Sequence, residues 1–167
     1  MEYEHAINDL LSGYIIHAGL GNIQSLAMVC VNVDGIVTVR VCGDLPKQKE
    51  GLTFAITTLL VNISIGQNHC CLPEKQPTQK VTAGCQIMRY LKAEWVRNKI
   101  GELAAIGLVS LSSNNAANIA LVGDIERLRS ELLEGTTHLL YEVENIASCY
   151  RHVLDSHNHH FKPLEPA

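Results

Sequence analysis

The chain has 167 residues, 47% of them apolar and 18% charged, a balance that excludes a disordered polymer and supplies matter for a sizeable core. Net charge is −4 with 13 basic residues scattered along the chain, so neither a nucleic-acid footprint nor a dense acidic mimic of one is present. The apolar fraction exceeds what one small domain usually hides, which predicts self-association.

The first residues, MEYEHAINDLLSG, carry acids where a secretory leader would carry Lys or Arg. Apolar stretches are interrupted well short of the ~18–20 residues that a membrane span needs. The expectation is a cytoplasmic protein that binds neither membrane nor nucleic acid. In a reducing compartment Cys30, Cys42, Cys70, Cys71, Cys85 and Cys149 are core hydrophobes or free thiols.

Residues 2 to 18 place Tyr3, Ala6, Ile7, Leu10, Leu11, Tyr14 and Ala18 on one helical stripe, and Gly19 and Gly21 then stop it. Two β-branched runs follow and meet at Asp34-Gly35, a dipeptide suited to a two-residue hairpin turn. With Val33 and Ile36 flanking that turn, Asn32 faces Val37, Cys30 faces Val39 and Met28 faces Val41. The other side of the ribbon, with Ala27, Val29, Val31, Thr38 and Arg40, is apolar enough to touch another subunit. Asp44 and Pro46 open a helix through about Ile65, with Leu52, Ala55, Ile56, Leu59 and Ile63 inward, and Gly66 closes it.

This reading makes residues 1–66 an α-β-β-α unit and residues 67–80, with two prolines, a linker. Residues 81 to about 109 have helical spacing through Cys85, Met88, Leu91, Trp95, Val96, Ile100, Leu103 and Ile106. A Ser- and Asn-rich turn then leads to a last helix of some forty residues, roughly 60 Å long. Residues 81–156 thus form a long antiparallel helical hairpin, and residues 157–167 a flexible His-rich tail. The fold class is α+β, mostly helical, with no internal repeat.

A rod of that length outruns the cover its own chain provides. Leu121, Ile125, Leu128, Leu132, Leu139, Ile146 and Val153, joined by Val29 and Val31 of the ribbon, are therefore the expected interface of a homo-oligomer.

Candidate chemistry is sparse. His69, Cys71 and Cys85 are zinc-ligand types, yet they lack the paired short spacing of a structural site, and the plain alternative is thiols packed in an apolar turn. In the tail, His157, His159 and His160 form a tract that takes up transition metals without an evolved site. Along the last helix, Glu131, Glu134 and Glu142 stand near Asn145. Carboxylates at such spacing hold Mg²⁺ for pyrophosphate chemistry, and the run is loosely similar to the helical nucleotide pyrophosphohydrolases. It departs from them where Asn145 stands for an acid and where both pairs share one helix; solvated acids are the plainer reading.

No nucleophile elbow, dinucleotide loop or Walker motif occurs. The function expected is that of a non-enzymatic, oligomeric interaction or regulatory protein that binds a protein partner or sequesters a small anionic ligand, with no cofactor. Its alternative is a divalent-metal nucleotide hydrolase using the helical carboxylates. The cysteine-containing, motif-poor composition is of a kind common among viral and mobile-element accessory proteins.

Overall fold

The computed structural model describes residues 3–75, 84–145 and 159–161. The elements run α1 (Glu4–Gly19), β1 (Ser25–Asn32), β2 (Val37–Gly43), α2 (Leu45–Ile65), α3 (Gly84–Lys99), β3 (Leu103–Leu111), β4 (Ala117–Gly123), α4 (Ile125–Glu144) and β5 (His159–Phe161). All strands join one antiparallel sheet in the order β4-β3-β1-β2-β5. The α+β class and the N-terminal α-β-β-α unit stand as the sequence predicts, and helix outweighs strand.

Both faces of the sheet are covered. On one, α2 and α4 pack over Ala27, Val29, Val31, Val37, Val39, Val41, Val109 and Leu121. On the other, α1 and α3 pack over Leu26, Met28, Cys30, Cys42, Ile106 and Leu108. Double cover is why β1 and β3 read as continuous apolar runs rather than alternating ones.

The hairpin forms, but its register differs by one residue from the expectation. Val31 pairs with Val37, Cys30 with Thr38, Val29 with Val39 and Met28 with Arg40. The Asn32 side-chain oxygen accepts hydrogen bonds from the backbone N–H groups of Asp34 and Ile36, both at 2.9 Å, and so opens the turn to three residues with Gly35 at φ +81°. One residue of slip exchanges the two faces of a strand. Val29 and Val31 therefore join Val39 under α2 and α4, and they present nothing to a partner.

The helical hairpin expected over residues 81–156 is replaced by a second α-β-β-α unit. Gly101, at φ +78°, ends α3: its N–H donates to the Asn98 carbonyl at 3.0 Å and the Glu102 N–H to the Arg97 carbonyl at 3.0 Å. Residues 103–111 then extend, buried at every position, where an apolar run satisfies helical and strand spacing alike. Residues 112–116 are indeed a turn, with Asn115 at φ 65°, but between two strands. The last helix is 20 residues long, about 30 Å, and is no rod.

The two units are copies of one plan, so the absence of a repeat is also corrected. Equivalent residues stand 80 apart in number: the sequence Cys42-Gly43-Asp44-Leu45 is matched by Val122-Gly123-Asp124-Ile125, with φ +133° and +131° at the glycines. A Cβ at either glycine would collide with the backbone of the neighbouring strand, at Ser25 Cα for Gly43 and at Ala105 Cα for Gly123. Gly21 ends α1 as Gly101 ends α3, its N–H donating to Ala18 and that of Asn22 to His17. Met28 of β1 pairs with its own equivalent, Leu108 of β3, which puts a pseudo-two-fold axis through the middle of the sheet.

Candidate interaction surface

Beneath α3 the sheet carries charge. Glu94 is fully buried and its carboxylate lies 2.9 Å from Arg97 Nη1 and 3.3 Å from Arg40 Nε. Arg97 reaches on to Glu102 at 3.3 Å, and Arg40 stacks on the Tyr90 ring at 4.9 Å from its centroid. Two acids and two bases thus neutralise one another. Burial, the largest single effect, pulls the Arg97 guanidinium toward losing its proton, but Glu94 and its other neighbours, Glu102 among them, together outweigh that and raise it overall. Beside them, burial and then the Glu94 charge push the Cys30 thiol well above its ordinary range, so it stays protonated.

At the equivalent place beneath α1, Tyr14, Asn22 and Ala120 stand where the other cluster has Glu94, Glu102 and Arg40. Tyr14 replaces Glu94, and its hydroxyl donates to the Cys71 carbonyl at 2.7 Å, which ties residues 68–71 over the edge of β4. Burial raises the Tyr14 phenol, so it remains a donor. His69 exchanges backbone hydrogen bonds with Leu121 at 2.7 and 2.6 Å, and Cys71 Sγ lies 3.3 Å from Asn118 Oδ1. Most polar groups of both clusters are turned on one another, which is the behaviour of structural networks, although Arg40 Nε meets Glu94 as an ion pair without a hydrogen bond.

The outer surface of the same helical layer is different. α1 and α3 run antiparallel: Asn98 at the end of α3 donates to the Glu4 carbonyl at 2.9 Å, and Gly19 at the end of α1 lies 3.4 Å, at its Cβ position, from Met88 near the start of α3. Between them lies a groove of about 410 Å³ lined by Ser12, Ile15, Ile16, Lys92, Trp95 and Val96. These six are three equivalent pairs, so the groove straddles the pseudo-two-fold axis. Ile16 is 62% exposed, Leu20 56%, Val96 52% and Ile100 67%, again in equivalent pairs four residues apart, Leu20 and Ile100 each standing one residue past the end of its helix. Apolar side chains left in water at matched positions of two helices form a patch rather than scatter. The Lys99 ammonium rests on the Trp95 ring at 4.9 Å and marks one polar margin.

The residues singled out from the sequence fall elsewhere. Leu121, Ile125, Leu128, Leu132 and Leu139 are buried in their own chain, as are Val29 and Val31, which removes them as an interface. Ile146, Val153 and His157 lie outside the described residues. His159 and His160 lie in β5, paired with Val39 and Thr38. Cys85 belongs to α3, whereas His69 and Cys71 border β4. Among the described residues no three His, Cys, Asp or Glu side chains are placed to hold a metal ion.

Glu131 and Glu142 are half-buried, Glu142 Oε1 accepting from His138 Nε2 at 3.0 Å, while Glu134 is exposed. On the neighbouring α2 the equivalents of these three are Gly51, Phe54 and Asn62, and among the described residues no carboxylates gather with them to hold a metal ion. The groove escaped sequence reasoning because Ile16, Leu20, Val96 and Ile100 read as ordinary members of apolar stripes. Only the 80-residue correspondence, with Ser12, Ile16 and Leu20 matching Lys92, Val96 and Ile100, carried the signal.

No family model, curated protein or solved structure matches the chain. No helix among the described residues is long and apolar enough to cross a membrane.

Proposed function

We propose that the protein is a non-enzymatic interaction protein and that the groove between α1 and α3 is where it takes an apolar helical partner. The observation that carries this reading is the matched exposure of Ile16, Leu20, Val96 and Ile100 around a groove floored by Ile15 and Trp95. A helix presenting side chains at i and i+4 fits such a surface, and apolar burial there supplies the driving force. The scattered placement of Glu131, Glu134 and Glu142 supports binding over hydrolysis. The thiols of Cys30, Cys42, Cys70 and Cys71 are unbridged, which suits a reducing, cytoplasmic setting.

Trp95 is the only tryptophan and it lines the groove, so its fluorescence reports on occupancy. An apolar anilinonaphthalene dye is expected to bind the monomeric protein and quench Trp95, and the pair Ile16→Lys with Val96→Lys is expected to abolish binding while circular dichroism stays unchanged. Nucleoside triphosphate turnover with Mg²⁺ or Mn²⁺ that disappears in Glu134→Ala would overturn the reading in favour of a hydrolase.

A further inference from the structure

Where α1 begins and α3 ends, a polar pocket of about 280 Å³ opens on the seam between them, lined by Glu4, His5, Asn8, Asn98 and Lys99. Asn98 is 1% exposed, and its Nδ2 donates to the Glu4 carbonyl at 2.9 Å, which fixes which end of the carboxamide is oxygen. That oxygen has no hydrogen-bond partner in the chain. Asn8 Oδ1 has none either, and both atoms are covered. A covered acceptor without a donor destabilises a fold, and here two of them belong to side chains lining one pocket.

The internal repeat shows that the fold does not require them. At the other end of the seam, the equivalents of Asn8 and Asn98 are Met88 and Ala18, both packed with the core beneath these helices, and Met88 lies against Gly19, the equivalent of Lys99. Apolar side chains close that end, so two carboxamides are not needed to join α1 to α3. A group that satisfies both oxygens must donate. An ammonium carries three N–H donors on one centre and makes the stronger, charge-assisted bonds. Glu4 contributes the one carboxylate among the lining residues, while the Lys99 ammonium is drawn onto the Trp95 ring at 4.9 Å and His5 lies 3.6 Å from Asp9. Asn8 precedes Ser12 by one helical turn, about 6 Å, so the pocket adjoins the apolar groove that Ser12 lines.

We propose that this pocket takes the ammonium group of a lysine carried by the apolar helical partner, which donates to Asn98 Oδ1 and Asn8 Oδ1 while the partner's apolar face lies in the groove. This rests on the reading of the groove as a docking surface and adds the polar feature that its occupant carries. The exposed side chains of His5 and Lys99 move aside to admit the ammonium. Neither oxygen touches bulk water, so the ammonium gains both hydrogen bonds without stripping solvent from their acceptors. A helix with an apolar residue at this place leaves the two oxygens unpaired, and the pocket thereby discriminates among apolar helices.

Titration of the full chain with n-octylammonium and with n-octanol at neutral pH, followed by Trp95 emission, tests this, since the probes share an apolar body and differ in the head. The ammonium is expected to bind about tenfold more tightly than the alcohol. Asn8→Met with Asn98→Ala copies the other end of the seam. That double variant is expected to keep a thermal midpoint no lower than the parent's and to bind both probes with the affinity of the alcohol. Asn8→Met alone, at a half-buried position, is expected to cut the preference about threefold, a readout that stands even if the double variant fails to fold. Lys99→Met is expected to keep the preference. A preference found only in Lys99→Met makes Lys99 the native donor to the two oxygens and overturns the proposal, as does a preference that survives the double variant. Equal binding of both probes by the parent chain overturns the ammonium pocket and keeps the groove as a docking surface. Binding of neither probe, nor of the apolar dye, overturns both.

Discussion

At Glu94 a carboxylate with no solvent contact lies between two guanidinium groups that are themselves largely covered, Arg40 11% and Arg97 20% exposed at the side chain. The pair as a whole stabilises little against an apolar substitute, but removing one member leaves charge buried without compensation. Glu94→Gln is expected to lower stability by about 3 kcal/mol, measured by urea unfolding. A loss below about 1 kcal/mol would show the guanidinium groups to be adequately solvated. Nothing in the local sequence distinguishes Glu94 from the solvated acids of this chain. Its partner Arg40 lies 54 residues away, and its burial follows from α3 being laid across β2.

α4 touches the sheet through a glycine. A Cβ at Gly135 would come within 2.5 Å of Val29 Cγ2 and 2.7 Å of Val37 Cγ1, so the helix backbone lies directly on the hairpin. The equivalent residue of α2 is Ala55, which is fully buried with its methyl group accommodated. Gly135→Val is expected to force α4 outward and destabilise the fold by about 1–3 kcal/mol despite removing a helix glycine, read as a lowered thermal midpoint. Stability equal to or above that of the parent would mean that the layer gives way freely. Elements with a single available cover were legible: α1 and α2 have one apolar stripe, and their glycine stops fall at Gly21 and Gly66 as expected. β3 was not, because a segment covered on both faces is apolar throughout and loses the period that separates strand from helix. The heptad steps from Leu121 to Leu139 misled for a related reason: Leu121 faces the same core as Ile125 and Leu132, but from a strand.

Across the whole molecule the two α-β-β-α units share one sheet through the central β1–β3 pair, and the core beneath α1 and α3 draws residues from both units. Each unit alone would expose a bare β1 or β3 edge and half of each apolar face. A fragment of residues 1–75 is therefore expected to show no cooperative unfolding as a monomer, by circular dichroism and sedimentation. A monomeric fragment with a sharp transition would show that the first unit holds its core unaided. The chain thus folds as two copies of one plan already joined through a shared sheet.

By itself the sequence determined the α+β class, the first α-β-β-α unit, the α2 boundary at Gly66 and the lack of any familiar catalytic motif, since each depends on contacts near in the chain or on composition. Only the tertiary structure decided that residues 103–123 are strands, that Leu128 and Leu132 are core, and that Ile16 and Val96 are surface. Whether an apolar side chain is covered depends on which elements lie across it, and here those elements come from the other half of the chain.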